Sequence, residues 1–275
     1  MTDTVSVLSV SDMHINSTVA LSPPKVNLVE GGTYVATRSQ RALWERWTGD
    51  LLPKFDAMPG RKVLVFNGDM GELDAKKRTV ELVSINKATI LELTLETIMP
   101  IVDRADAVYV MRGTPAHTGK GAWLEEVIAK DIDAVPTDEG TASWWHMRRK
   151  AAGVRFDIAH HASMGHLPWT EKNAANKVAA IIMWRYMIDM EELYPHITLR
   201  NHNHRYADSG GNYKTFAICG RAWSTATDYT YRTGKENSPS DIGADAFICK
   251  DGKYEHIQHC YPYKPVRKIW ANVDF

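Results

Sequence analysis

The sequence predicts a layered α/β protein with a mixed sheet, or two sheets packed between helices. Three observations carry this. Short apolar or β-branched runs alternate with helical patterns along most of the chain. Each of these runs stops at Asp, Gly or His. After residue 205 the pattern changes to antiparallel strand signals, which a purely parallel sheet would not need.

The first run, "TVSVLSVSD" (4–12), ends in a polar loop, and the long loop at 16–37 carries Pro23, Pro24, Gly31 and Gly32. "SQRALWERWTGDLLPKF" has helical spacing and is expected to bend before Pro53, whose ring cannot continue a regular turn. The second strand is "RKVLVFNGD" (61–69). "KKRTVELVSINKATILELTLETIMPIV" then reads as one long helix, with apolar residues three and four apart. "ADAVYVMRG" (105–113) is the third strand and "GAWLEEVIAKDI" the next helix. "TASWWHMRRKAAGVRFDIAHH" suggests a hairpin leading into the fourth strand, 154–161. "TEKNAANKVAAIIMWRYMIDMEELY" is helical, and "HITLRNHNH" (196–204) is the fifth strand. Beyond it, "NYKTFAICGRAWS" and "ADAFICKDGKYEHIQHCY" read as antiparallel strands, the latter a hairpin through Asp251-Gly252. A second long loop, 224–244, is rich in Thr, Ser and Gly; long loops in compact domains tend to be functional or mobile. No repeat or linker divides the chain, so residues 1–275 are expected to form a single domain.

Composition excludes some functions. The 275 residues carry 33 Lys+Arg and 33 Asp+Glu, so no whole-surface attraction to nucleic acid or membrane is expected. Three cysteines without paired spacing point to reduced thiols and a cytoplasmic setting. No secretory signal is visible at the N-terminus, and no segment has the length of a membrane span. Histidine is the unusual residue: there are 11, several at the ends of apolar runs.

Those strand ends form a series. Asp12-x-His14 follows the first strand, Gly68-Asp69 the second and Gly113-Thr114-x-x-His117 the third. His160-His161 ends the fourth and His202-x-His204 the fifth. Residues just past the carboxyl ends of strands converge on one crevice in α/β sheets. On an extended backbone, His202 and His204 would project to the same side. Alone, such a pair is as often two surface rings as two ligands. The whole series offers carboxylates and imidazoles together, a donor mix that suits two divalent ions such as Mn, Fe, Ni or Zn better than Ca or Mg.

Taken in order, D-x-H, G-D, G-x-x-x-H, H and H-x-H resemble the motif set of the calcineurin-like metallophosphoesterase superfamily. The loop "RGTPAH" is similar to forms commonly encoded by bacteriophages and prophages, which implies a bacterial or phage-infected host cell. The resemblance implies a four-layer αββα sandwich of two mixed β-sheets flanked by helices, with a dinuclear metal site at the strand C-terminal ends. It assigns Asp12, His14 and His204 to one metal and His160 and His202 to the other, with Asp69 bridging. Thr114 stands where the family has an asparagine ligand, the histidine that follows comes two positions later than the family's, at His117, and Asn201 stands where the family has a glycine before H-x-H.

The implied reaction is phosphoester hydrolysis by a hydroxide bridging two ions roughly 3.5–4 Å apart. His117 would protonate the leaving alkoxide, and Arg112 could clamp phosphate or form an ordinary salt bridge. "GDMGELD" lacks the Arg of the protein-phosphatase signature G-D-x-x-D-R-G. This disfavours dephosphorylation of protein serine or threonine, and the working expectation is a phosphodiesterase on nucleotides or nucleic acid. A phosphomonoesterase, a non-catalytic metal-binding interaction module and a structural zinc protein are the alternatives. The oligomeric state is left open.

Other residues have more than one reading. Strand alternation favours His160 over His161 as the ligand, with His161 turned away. His166 could line the cleft or sit in an ordinary loop. Glu72 could support the site or start a helix. Trp44, Trp47, Trp144, Trp145 and Trp184 read mainly as core, and "AKKRT" and "MRRK" as solvated basic faces.

Overall fold

A computed structural model describes residues 4–73, 81–162, 170, 173–188, 193–227 and 240–263. In chain order the strands are β1 (Val5–Val10), β2 (Lys25–Asn27), β3 (Thr33–Val35), β4 (Arg61–Asn67), β5 (Ala107–Met111) and β6 (Met147–Ala151). They continue with β7 (Val154–His161), β8 (Ile197–Asn201), β9 (Ala207–Asp208), β10 (Phe216–Cys219), β11 (Ile242–Lys250) and β12 (Lys253–Tyr261). The helices are α1 (Arg38–Arg46), α2 (Leu52–Asp56), α3 (Lys87–Val102), α4 (Pro115–Thr118), α5 (Trp123–Asp131) and α6 (Ala174–Ile188).

Two five-stranded mixed sheets dominate. The first runs β12-β11-β1-β4-β5 and the second β6-β7-β8-β10-β9. In each, three neighbouring strands are parallel: β1, β4 and β5 in the first, and β7, β8 and β10 in the second. Antiparallel strands complete both sheets. The parallel strands carry near-continuous apolar runs because both of their faces are covered. On β1, Leu8 and Val10 join a core with Leu43, Phe55, Leu93 and Ile128 from the helices, whereas Val7 joins Val65, Phe156, Ile158, Leu199 and Phe247 between the sheets. Val178 and Ile182 of α6 pack with Ala217 of the second sheet.

Five strand expectations coincide with β1, β4, β5, β7 and β8, and the Asp251-Gly252 hairpin joins β11 to β12. Four details differ. The segment 39–55 stays helical through Pro53. A π-helical stretch, Trp47–Leu51, joins α1 to α2, with the Leu52 N–H reaching Trp47 O. The wider turn accommodates a ring that would clash with an α-helical carbonyl. The long helix starts only at Lys87, because Asn86 caps it by accepting from the Ala88 N–H at 3.0 Å. Upstream, Asn16 diverts the chain by accepting from Ser84 N at 3.0 Å and donating to Ser84 O at 2.9 Å. Residues 74–80, with the "AKKRT" run, lie outside the described residues, as do His166 and positions 228–239 of the second long loop.

The 16–37 loop carries the small hairpin β2–β3. Finally, β10 is parallel to β8 and antiparallel only to β9, so the "NYKTFAICGRAWS" strand belongs mainly to the parallel trio. No helix among the described residues is long and apolar enough to cross a membrane.

Candidate metal centre

The carboxyl ends of the parallel strands from both sheets meet at one crevice. The first sheet supplies Asp12 after β1, Asp69 after β4 and Thr114 after β5; the second supplies His160 in β7 and His202 and His204 after β8. The loops after β1 and β4 are zipped together, with Asp12 N donating to Gly68 O (3.1 Å) and His14 N to Asp69 O (3.0 Å). Local backbone strain concentrates here: Asp12, His14, Asn16, Asp69, His202 and His204 all have positive φ, between 42° and 90°. Such conformations cost about 1–3 kcal/mol each and persist where the surroundings impose them, commonly at functional sites.

Two glycines make the approach possible. Gly68 has φ +84°, and a Cβ there would lie 2.5 Å from His160 Nδ1. A Cβ on Gly113 would lie 2.2 Å from Asp69 N.

Two donor sets form. In the first, His204 Nε2 lies 3.2 Å from Asp12 Oδ1 and 3.1 Å from His14 Nε2. In the second, Asp69 Oδ2 lies 3.0 Å from His160 Nε2, 3.7 Å from His202 Nδ1 and 3.1 Å from Thr114 Oγ1. The sets adjoin, since His160 Nε2 is 3.9 Å from Asp12 Oδ1. The ligand atoms of Asp12, His14 and His204, and those of Asp69, His160 and His202, each lie within 4.8 Å of one another. His14, Glu72 and His117 form a third such group.

These residues fit divalent ions on three grounds. Asp12 Oδ1 is buried and faces only the ring nitrogens of His204 (3.2 Å) and His160 (3.9 Å), with no well-aligned hydrogen bond, as an oxygen intended for an ion would be. Three imidazoles are tied at their outer nitrogens: His14 Nδ1 to Glu72 Oε2 (2.9 Å), His160 Nδ1 to Asn67 O (2.6 Å) and His204 Nδ1 to Ser224 Oγ (3.2 Å). Each therefore presents Nε2 inward, the arrangement of metal-binding histidines. The mix of carboxylate and imidazole suits Mn, Fe, Ni or Zn.

Charge balance agrees. Burial opposes ionisation of Asp12, yet His204 and His160 prevail and hold its carboxyl at about 2. Asp69 is likewise held well below the usual range, burial being outweighed by His160 and His202. Burial pushes His160 down, but Asp69 and Asp12 overcome it and raise the imidazole to about 9. In the metal-free protein a proton therefore occupies part of the place a cation would take.

The H-x-H pair does not lie on extended backbone. β8 ends at Asn201, and His202 (φ 73°) and His204 (φ 55°) turn in left-handed conformation. The two rings consequently serve different donor sets. His161 also departs from expectation. A register shift between Ile158 and His161 lets adjacent rings reach the same crevice. His160 is buried at Asp69, whereas exposed His161 places Nε2 3.3 Å from Thr114 Oγ1.

His117 joins the site through Glu72, with Nδ1 2.7 Å from Oε2, and its ring centroid is 4.7 Å from that of His14. Arg112 is engaged elsewhere. Its guanidinium donates to Ser143 Oγ (2.8 Å) and Glu126 Oε2 (3.1 Å) and lies over Trp145. Thr114 anchors Asp69, its N–H donating to Oδ1 at 2.5 Å. Sequence reading passed over Asn67 and Glu125. Glu125 is fully buried near Asp69, and burial together with Asp69 raises its carboxyl to about 8 against the lowering pull of a Thr118 hydrogen bond. A glutamate on the inward face of "AWLEEVIA" was the only available signal.

No protein-family model matches the chain, and no curated protein matches it. Among solved structures it is similar to Vacuolar Protein Sorting 29 from Cryptosporidium parvum, with 12% identity over 95% of this chain and 100% of that one, at a TM-score of 0.41. It is also similar to a Thermotoga maritima protein solved by NMR, with 9% identity over 93% of this chain and 99% of that one, at a TM-score of 0.40. Neither likeness bears on activity or ligands.

Proposed function

We propose that this chain is a divalent-metal-dependent phosphoesterase of the calcineurin-like type, a single-domain four-layer αββα sandwich that hydrolyses phosphodiesters of nucleotides or nucleic acid. The observation that carries this reading is the pair of adjoining donor sets, Asp12/His14/His204 and Asp69/His160/His202, at the carboxyl edge of two sheets. Asp69 would be shared between two ions, and Thr114 would hold Asp69 in place. The phage-type branch rests on the RGTPAH loop alone, and the cytoplasmic setting on cysteine usage.

Two bound ions would supply Lewis acidity and an activated water for in-line attack on phosphorus. With two carboxylates among six ligands, the loaded site is net positive and attracts an anionic ester. His14, His160 and His204 keep their tautomers through Glu72, Asn67 and Ser224. Glu72 holds the Nδ1 proton of His117, so Nε2 is the atom that delivers a proton to the leaving alkoxide. Arg112 shapes the third strand's exit through Ser143 and Glu126.

One observation favours a second reading, a metal-binding interaction module without catalysis: Thr114 occupies the place of the family's asparagine and spends its hydroxyl on Asp69. Hydrolysis of bis-p-nitrophenyl phosphate and p-nitrophenyl phosphate with added Mn²⁺ separates the readings. Diester turnover abolished by chelation supports the proposal. Faster monoester turnover makes the protein a phosphatase, and no turnover by folded, metal-loaded protein overturns the enzyme reading.

A further inference from the structure

We propose that a buried amide pair, Asn67–Asn201, is a positioning clamp that fixes the separation of the two halves of the metal centre. This rests on the metal-site reading above.

Asn67 is the last residue of β4 in the first sheet, and Asn201 the last residue of β8 in the second. Their side chains meet across the sandwich, with Asn67 Nδ2 donating to Asn201 Oδ1 at 2.6 Å, and both residues are buried. Asn67 stands two positions before Asp69, and Asn201 one position before His202. The same Asn67 also accepts the His160 Nδ1 proton on its backbone oxygen at 2.6 Å. One bond thus joins the segment carrying Asp69 to the segment carrying His202 and His204, and its donor residue orients His160.

The need for such a clamp follows from how the ligands are distributed. Asp12 and Asp69 ride on the first sheet, whereas His160, His202 and His204 ride on the second. Between the sheets lies an apolar layer of Val7, Val65, Ile158, Leu199 and Phe247. Apolar packing is non-directional and tolerates small slides that a coordination sphere does not. A hydrogen bond between buried amides is directional, and breaking it strands a polar group. The surroundings are shaped for this side chain. Asn201 Nδ2 donates to Arg221 O at 3.3 Å, and a Cβ on Gly220 would lie 2.5 Å from that same nitrogen. Asn201 fills the space where a glycine in its own position would leave a void, and Gly220 supplies the room.

The test is a double-mutant cycle, Asn67→Ala, Asn201→Ala and both, on chelator-stripped full-length protein. Mn²⁺ affinity is read by titration calorimetry and metal-free stability by thermal unfolding. Each single change is expected to weaken Mn²⁺ binding about tenfold or more, as loss of groups that orient ligands does elsewhere. The double variant should bind no more weakly than the worse single. Asn201→Gly with Gly220→Ala, which refills part of the void without restoring the bond, should show the same loss. It also serves where an alanine variant does not fold. Affinities within about twofold of wild type, or losses that simply add, overturn the clamp. A lowered unfolding temperature with unchanged Mn²⁺ affinity does so too, since that is plain packing. If wild-type protein binds no Mn²⁺, the metal-site reading fails together with the clamp. If it binds a pair of ions and the variants bind equally well, only the clamp fails.

Discussion

Glu72 holds His117 by a 2.7 Å bond from Nδ1 to Oε2, and the same oxygen lies 2.9 Å from His14 Nδ1. One carboxylate thus orients both a candidate ligand and a candidate acid. Burial opposes its charge, but the bonds from His117 and His14 keep Glu72 ionised down to about 2.

His117→Ala is expected to retain Mn²⁺ binding and to slow diesters with poor leaving groups by about 10²- to 10⁴-fold, while p-nitrophenyl esters suffer far less. Turnover of paired substrates differing only in leaving group checks this. Equal losses for both would remove His117 from the acid role.

Asp69→Asn is expected to abolish turnover and reduce the bound metal. Asp69 takes the Thr114 N–H on one oxygen and faces His160 and His202 with the other, so an amide would present the wrong charge to all of them. Metal analysis of the purified variant, with diester assays, checks the outcome; retention of most activity would show that a shared carboxylate is not required.

The raised His160 imidazole, about 9, gives a pH dependence of known sign. A folded-state value above the ordinary one near 6.5 stabilises the metal-free protein fully below about pH 6.5, and that contribution fades as pH rises through 9. Metal must displace this proton, so apparent Mn²⁺ affinity should climb across the same window. Thermal unfolding of stripped protein from pH 6 to 10, with calorimetry in two buffers to count protons released, measures both trends. An affinity flat in pH would contradict the assignment.

Glu125 carries the opposite sign from most carboxylates. Burial and the neighbouring Asp69 hold it neutral up to about pH 8, whereas the unfolded chain ionises near 4.5. Wild-type protein therefore loses stability progressively between those values. Glu125→Gln should leave acid stability nearly unchanged and gain over wild type from pH 4.5 to 8, then level off. Unfolding midpoints at pH 4, 6 and 8 test this, and a gain independent of pH would point to packing instead.

Much of the fold was written locally. Runs such as "VSVLSV" and "KVLVFN" are apolar on both faces, and only a strand covered on both sides uses such runs. Gly68 and Gly113 stand where the backbone comes close to His160 and to Asp69, a need their residue type serves locally. The start of α3 was misread because the segment before its Asn86 cap is tied to Asn16, 68 positions before Ser84, a partner no local window contains.

The sequence alone determined which residue types stand at the strand ends, because strand period and turn chemistry are properties of neighbouring residues. Only the tertiary structure decided how they are used. Strand alternation favours His160 and turns His161 away, but a register shift brings both rings to the crevice, with His160 buried at Asp69 and His161 at the rim. The resemblance already gives His202 and His204 to different metals, but strand geometry would put them on one side; left-handed turns are what direct them to separate donor sets. Arg112 reads equally as a phosphate clamp or a salt-bridging residue, and in the fold Glu126 and Ser143 occupy its guanidinium. Each outcome depends on contacts between segments far apart in the chain, where packing and burial fix distances that spacing in sequence does not encode.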